Sequence, residues 1–138
     1  MAMAQLTCIV VTPEETAVET KADFVVLPLY DGEIGFAPGR APLIGRLGFG
    51  EMRVKVGGKV TRYYLDGGFV QVSGNIVSVL TNRALPATEV DVAAAQQQWH
   101  DARKLPILTP EQEAIRDRLL TQARGQLQVA RRASSARV

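Results

Sequence analysis

Pro86 divides the chain into two kinds of sequence, and that break limits the fold more than any other feature. Before it, short segments of β-branched and aromatic residues alternate with a period of two: LTCIVV, DFVVLPL, EMRVKV, KVTRYYL, GFVQV and NIVSVL. Turn signals separate them, GG at 57–58, DGG at 66–68 and SGN at 73–75, and two of the three are hairpin connections whose glycines or asparagine suit loop positions. Strands this close, with no helix between them, imply an antiparallel sandwich or flattened barrel and not a parallel α/β sheet. After Pro86 the strand formers give way to Ala, Gln, Leu, Arg and Glu, the usual helix formers. The expected class is α+β, with a β-sandwich over residues 1–86 and a helical hairpin over 87–138.

Two amphipathic helices are legible in the second part. Thr88 offers a cap for the first, with Asp91 placed to favour the helix dipole, and Val92, Ala95, Trp99 and Ala102 form its apolar stripe. That helix ends near KLPIL, because Pro106 disfavours a helical Leu105. In TPEQ, Thr109 stands at the cap of the second helix, Pro110 at its first position and Gln112 where a capping box needs it. Ile115, Leu119, Ala123, Leu127 and Ala130 are its expected apolar stripe. Neither helix is stable alone in water, so both must pack on something.

The hydrophobic fraction of 46% is ample for a core, and the only cysteine, Cys8, lies in a strand pattern as a small buried hydrophobe. No intrachain disulfide is possible, which favours a reducing compartment. The start MAMAQLTCIVV carries neither a basic region nor a long apolar run, so no secretory signal or membrane span is expected. Net charge is only +2, but the C-terminal end holds Arg116, Arg118, Arg124, Arg131, Arg132 and Arg137 against one acid, Asp117. An acidic body with a basic tail points either to an anionic partner or to a solvated helix face.

The usual catalytic groupings are missing. His100 is the only histidine, which excludes a His-rich metal site, and Cys8 has no base partner in sequence. GFGEMR at 48–53 leads into a strand pattern where a phosphate cradle needs a helix N-terminus, and there is no Walker-type lysine motif. The residues read as non-catalytic, without metal or cofactor. One stretch stands out. DGEIGFAPGRAPLIG, residues 31–45, is dense in glycine and proline between strand-like segments and reads as an elaborate loop of tight turns.

The order VVTPEE, DGEIGFAPGRAPLIGRLGFGEMRV, YYLDGGFVQVSGNIVSVLTNRA and then a helical hairpin closely resembles the epsilon subunit of bacterial F-type ATP synthases, over essentially the whole chain. The resemblance implies a sandwich bound to the gamma subunit beside the c-ring, on the cytoplasmic face of the bacterial plasma membrane. Membrane association would then come only through the complex, and nucleic acid would not be a partner. It implies a hairpin that either folds on the sandwich or extends toward the alpha and beta subunits and blocks ATP hydrolysis. Glu33 and Arg40 become the expected rotor contacts, presented by Gly32, Gly35, Gly39, Pro38 and Pro42. Arg116, Arg118, Arg124, Arg131 and Arg132 become the expected inhibitory surface.

There are two departures from the family pattern. Arg40 stands where the family usually has histidine, so a titratable contact becomes a permanent charge. The family's ATP-associated motif, aliphatic-Asp-x-x-Arg-Ala, appears as VDVAAA, with Asp91 and Ala95 kept and Ala94 in place of the arginine. Losing that guanidinium removes a bidentate phosphate partner, so ATP binding is expected to be weak or absent. Beside this reading stand a basic-tailed sandwich that binds an anionic partner and, with less support, a small β-sandwich enzyme.

Overall fold

The computed structural model describes residues 4–136. Eight strands precede two helices: β1 (Leu6–Val11), β2 (Thr16–Ala22), β3 (Phe24–Leu29), β4 (Gly32–Phe36), β5 (Leu43–Val56), β6 (Lys59–Ser73), β7 (Ile76–Leu80) and β8 (Ala84–Pro86), then α1 (Val92–Arg103) and α2 (Pro110–Ala136). The strands form one sheet in the order β2-β1-β7-β6-β5-β3-β4, with β8 pairing on β6. All ladders are antiparallel except β1 with β7. The sheet folds over on itself as a sandwich. Alternate residues Leu6, Cys8 and Val10 of β1, Val25 and Leu27 of β3, Met52 and Val54 of β5, Val70 and Val72 of β6, and Val77 and Val79 of β7 fill the space between its layers.

Two of the expected turns are as the residues demand. Gly57 and Gly58 join β5 to β6, and Gly74 and Asn75 join β6 to β7, all four with positive φ. The DGG segment is different. KVTRYYL and GFVQV belong to one strand, and residues 66–68 form a bend within it, where β6 exchanges β8 for β7 as its neighbour. Only glycine fits there, since Gly68 has φ +109° and a Cβ would lie 1.8 Å from the Leu80 carbonyl oxygen.

The 31–45 stretch is also more regular than its composition implies. Gly32–Phe36 is an edge strand that pairs with β3 from Leu29↔Gly32 to Val25↔Phe36, and Leu43 opens β5, so the loop proper is residues 37–42. The glycines of β4 are tolerated because, among the described residues, it has no neighbour on its outer side, and Pro38 and Pro42 fall in the loop.

The two helices pack side by side, and α2 lies against β5 and β6. The cap of α1 is Asp91, whose carboxylate accepts from the Ala94 amide at 3.0 Å, while Thr88 belongs to a preceding 3₁₀ turn, Ala87–Glu89. Thr109 caps α2 by accepting from the Gln112 amide at 3.1 Å, and the Gln112 side chain accepts in return from the Leu108 amide. The buried face of α2 only partly matches the expected stripe. Ala123 is buried and Leu119, Leu127 and Ala130 are half-buried, but Gln126, Val129 and Ala133 are buried as well and Ile115 is 57% exposed. The last two turns pack on the sheet, and its demand for small residues overrides simple apolar spacing.

Candidate functional site

The surface that could meet other molecules is best built from two faces of β5 and β6. The first is the seat of α2. Val129 and Ala133 cover Tyr64, Ala87 and Val90, with Phe49 and Ala130 at the edge. The helix comes so close that a Cβ at Gly125 would lie 2.5 Å from the Phe49 carbonyl oxygen. Glycine costs helix stability there but permits the approach.

A chain of polar contacts runs beside this seat. The Asp66 carboxylate accepts from the Tyr64 hydroxyl at 2.7 Å and from Gln122 Nε2 at 2.6 Å, and Gln98 of α1 donates to Gln122 Oε1 at 3.0 Å and to the Leu119 carbonyl at 2.8 Å. Both helices are thereby tied to one nearly buried acid. Burial, and then the hydrogen bond to Asp66, pushes the Tyr64 hydroxyl well above its ordinary range, so it stays a donor.

Further along α2, the Glu51 side chain is almost fully buried on β5. Its Oε1 receives Arg53 and Arg62 at 2.9 Å each and faces Arg132 at 3.6 Å. Arg53 also makes a forked pair with Glu33 at 3.1 and 3.2 Å, and that pairing holds its proton more tightly still. Glu33, an expected contact residue, is therefore partly engaged within its own chain.

The second face lies beyond the bend of β6. The registers Arg46↔Phe69, Phe69↔Leu80 and Val11↔Leu80 align these residues in one row across β5, β6, β7 and β1. Ile44 shares that outer face two residues from Arg46, and Arg46 stacks over the Tyr30 ring at 4.5 Å. Ile44 is 75% exposed, Tyr30 70%, Phe69 60% and Leu80 57%. Large apolar groups massed on one outer face mark a docking surface. This row was missed in the sequence, although a signal was present: in GFVQV and NIVSVL, apolar residues occupy both parities at Phe69–Val70 and Val79–Leu80.

The remaining expected site residues are scattered. Arg40 is folded back, 5.3 Å from the Phe36 ring centre, and donates to the Gly35 carbonyl at 3.2 Å. Arg124 lies over Trp99 of α1, Arg116 is 3.8 Å from Asp117, and Arg118 lines a groove between α2 and the β5–β6 bend. Arg132 reaches back to Glu51, Arg131 is exposed beside it, and Arg137 lies outside the described residues. With the hairpin packed, these arginines do not form one surface. Asp91 is occupied as a cap, and beside Ala94 is an apolar groove lined by Gln97, Gln98, Asp101, Ala102, Leu105 and Leu119, with no cation. Cys8 is fully buried, and burial pushes its thiol up to about 11. His100 is exposed on α1.

Comparison with known proteins settles the family. The profile described as "ATP synthase, Delta/Epsilon chain, beta-sandwich domain" matches residues 5–87. The chain belongs to the ATP synthase delta/epsilon family. An ATP synthase epsilon chain of Rhodopirellula baltica is 48% identical over 124 residues, covering 90% of this chain and 97% of the relative. One from a Synechococcus species is 40% identical over 123 residues, covering 88% and 90%. Among solved structures, a chain of the Tetrahymena thermophila mitochondrial ATP synthase central stalk and c-ring has a TM-score of 0.73 at 11% identity, over 94% of this chain and 99% of that one. A chain of the Euglena gracilis mitochondrial ATP synthase gives 0.72 at 21% identity, over 99% and 83%. These two show the shared fold, which reaches through the hairpin as well as the sandwich. Members of this family are non-catalytic parts of a membrane-associated complex, and no described helix here is long and apolar enough to cross a membrane.

Proposed function

We propose that this chain is the epsilon-type rotor subunit of a proton-translocating F-type ATP synthase, on the cytoplasmic face of the bacterial plasma membrane. In this reading residues 1–86 bind the central stalk and residues 87–138 form a regulatory hairpin. The observation that carries it is the exposed row of Val11, Leu80, Phe69 and Ile44 on a sandwich whose other outer surface is already covered by α2. An apolar sheet face of this kind needs a partner, and the gamma subunit is the partner that the family supplies.

Glu33 and Arg40 belong to the rim of the sandwich on β4 and the loop after it, where they would meet gamma or the polar loops of the c-ring. Arg116, Arg118, Arg124, Arg131 and Arg132 would act on the alpha and beta subunits only after the hairpin leaves its seat, because several of them face their own chain while it is packed. The Phe69→Glu variant tests the docking face. It should remain folded yet fail to co-purify with gamma, whereas deleting residues 87–138 should leave co-purification and coupling intact and raise ATP hydrolysis. If Phe69→Glu still assembles normally, the row is not the docking surface.

A further inference from the structure

We infer that the cleft between the C-terminal turns of α2 and the outer face of β5–β6 is a binding site for a phosphate group. The cleft, about 470 Å³ in volume, is lined by Arg53, Arg62, Arg131, Arg132 and Ser135. Four arginines from two elements thus border one shallow, open depression. Arg53 and Arg62 are directly opposite each other in the β5–β6 ladder, an arrangement of like charges that destabilises a sheet unless anions lie close by. Protein carboxylates meet only part of that need. Glu51 and Glu33 serve Arg53, Glu51 alone serves Arg62 and Arg132, and Arg131 has no carboxylate partner among the described residues. Four positive charges against two negative ones leave an excess that suits a multiply charged oxyanion, and the planar fork of arginine suits phosphate oxygens.

The lining also defines what the ligand is not. Among the described residues no aromatic or large apolar side chain borders the cleft, so a nucleobase has nothing there to stack on. The chemistry recognised is the phosphate group itself, from free orthophosphate or from a short polyphosphate. Because Arg53 and Arg62 belong to the sheet and Arg131 and Arg132 to α2, a bound phosphate bridges the two and favours the packed hairpin.

The test is calorimetric titration of orthophosphate, pyrophosphate and tripolyphosphate into the full chain, at constant ionic strength set with chloride. Saturable single-site binding is expected, tighter as phosphate charge increases, with a rise in the unfolding temperature. Binding should weaken about tenfold in Arg131→Ala, whose side chain has no ion pair to lose, and in Arg62→Gln, and stay unchanged in Lys104→Ala. ATP should bind no more tightly than tripolyphosphate. Absence of saturable binding, indifference to Arg131→Ala, or a clear preference for ATP over tripolyphosphate would each overturn the assignment.

Discussion

The core between the sheet layers and the seat of α2 on their outer face are built from different materials. The core consists of Leu6, Val10, Val25, Leu27, Phe36, Met52, Leu65 and their neighbours, apolar throughout and closed to solvent. The seat is made of Ala123, Gly125, Val129 and Ala133, joined by hydrogen bonds through Gln122 to Asp66 and by an ion contact from Arg132 to Glu51. Apolar burial is non-directional and accumulates with area, so the core is robust. On the α2 side the residues are small, but they cover the fully buried Tyr64, so the seat combines one large aromatic contact with polar contacts that water can replace. The proposed two-position regulation would require the hairpin to give up the Tyr64 contact and these polar ones while the core stays closed.

The largest effect should come from the core. Leu65→Ala should cost about 2–5 kcal/mol and lower the denaturant midpoint of the whole sandwich. The Gly125→Ala substitution separates the two regions most sharply. Its methyl group meets backbone, so α2 must shift, at a cost of about 2–3 kcal/mol confined to the seat. Hydrogen exchange should accelerate in α1 and α2 and stay slow in β5 and β6. Equal loss of protection in both would mean that the hairpin and sandwich open together. Next, Gln122→Ala should weaken the seat by about 1.5 kcal/mol, because a bond to a nearly buried carboxylate is lost, with the same regional pattern.

The smallest effect concerns pH. Cys8 is held protonated by burial, with its pKa raised to about 11, whereas the unfolded chain ionises it near the ordinary thiol value. Above that ordinary value the unfolded state binds fewer protons, so stability falls as pH rises and stops falling once pH passes 11. At pH 10 the loss should be about 1.4 kcal/mol relative to neutral pH, and a Cys8→Ala chain should lack it. The thiol also reports on the comparison itself, since in Gly125→Ala it should remain as unreactive as in the parent chain.

Local chemistry made much of this fold legible in the sequence. Gly57–Gly58 and Gly74–Asn75 can hardly be anything but hairpin turns, and Thr109 with Pro110 and Gln112 marks a helix start. What stayed hidden depends on distant partners. Residues 66–68 look like a turn but bend a strand, because β8 and β7 pair with β6 on either side of them. The β4 edge strand hides in a glycine- and proline-rich stretch, since only the sheet order reveals that it has one neighbour. Glu33 and Arg40 came to attention through the family pattern and not through local chemistry. The Phe69 row and the Arg53–Arg62 pair emerge only once strand register is known.

The bend at Gly67–Gly68 also determines how mechanical load travels. Tyr64 and Asp66, which hold the hairpin, and the exposed Phe69 are within six residues of one strand. Asp66 and Phe69 are three residues apart, joined through the Gly67–Gly68 bend. A pull on Phe69 along β6 therefore arrives at the Asp66 carboxylate through covalent bonds, without a loop between them to absorb it as slack. Sideways, the ladder from Leu43↔Val72 to Val56↔Lys59 holds the strand along nearly its full length, and loads it in shear, so that many hydrogen bonds resist together. A load applied at Phe69 would reach the hairpin through one continuous hydrogen-bonded strand turned at Gly67–Gly68.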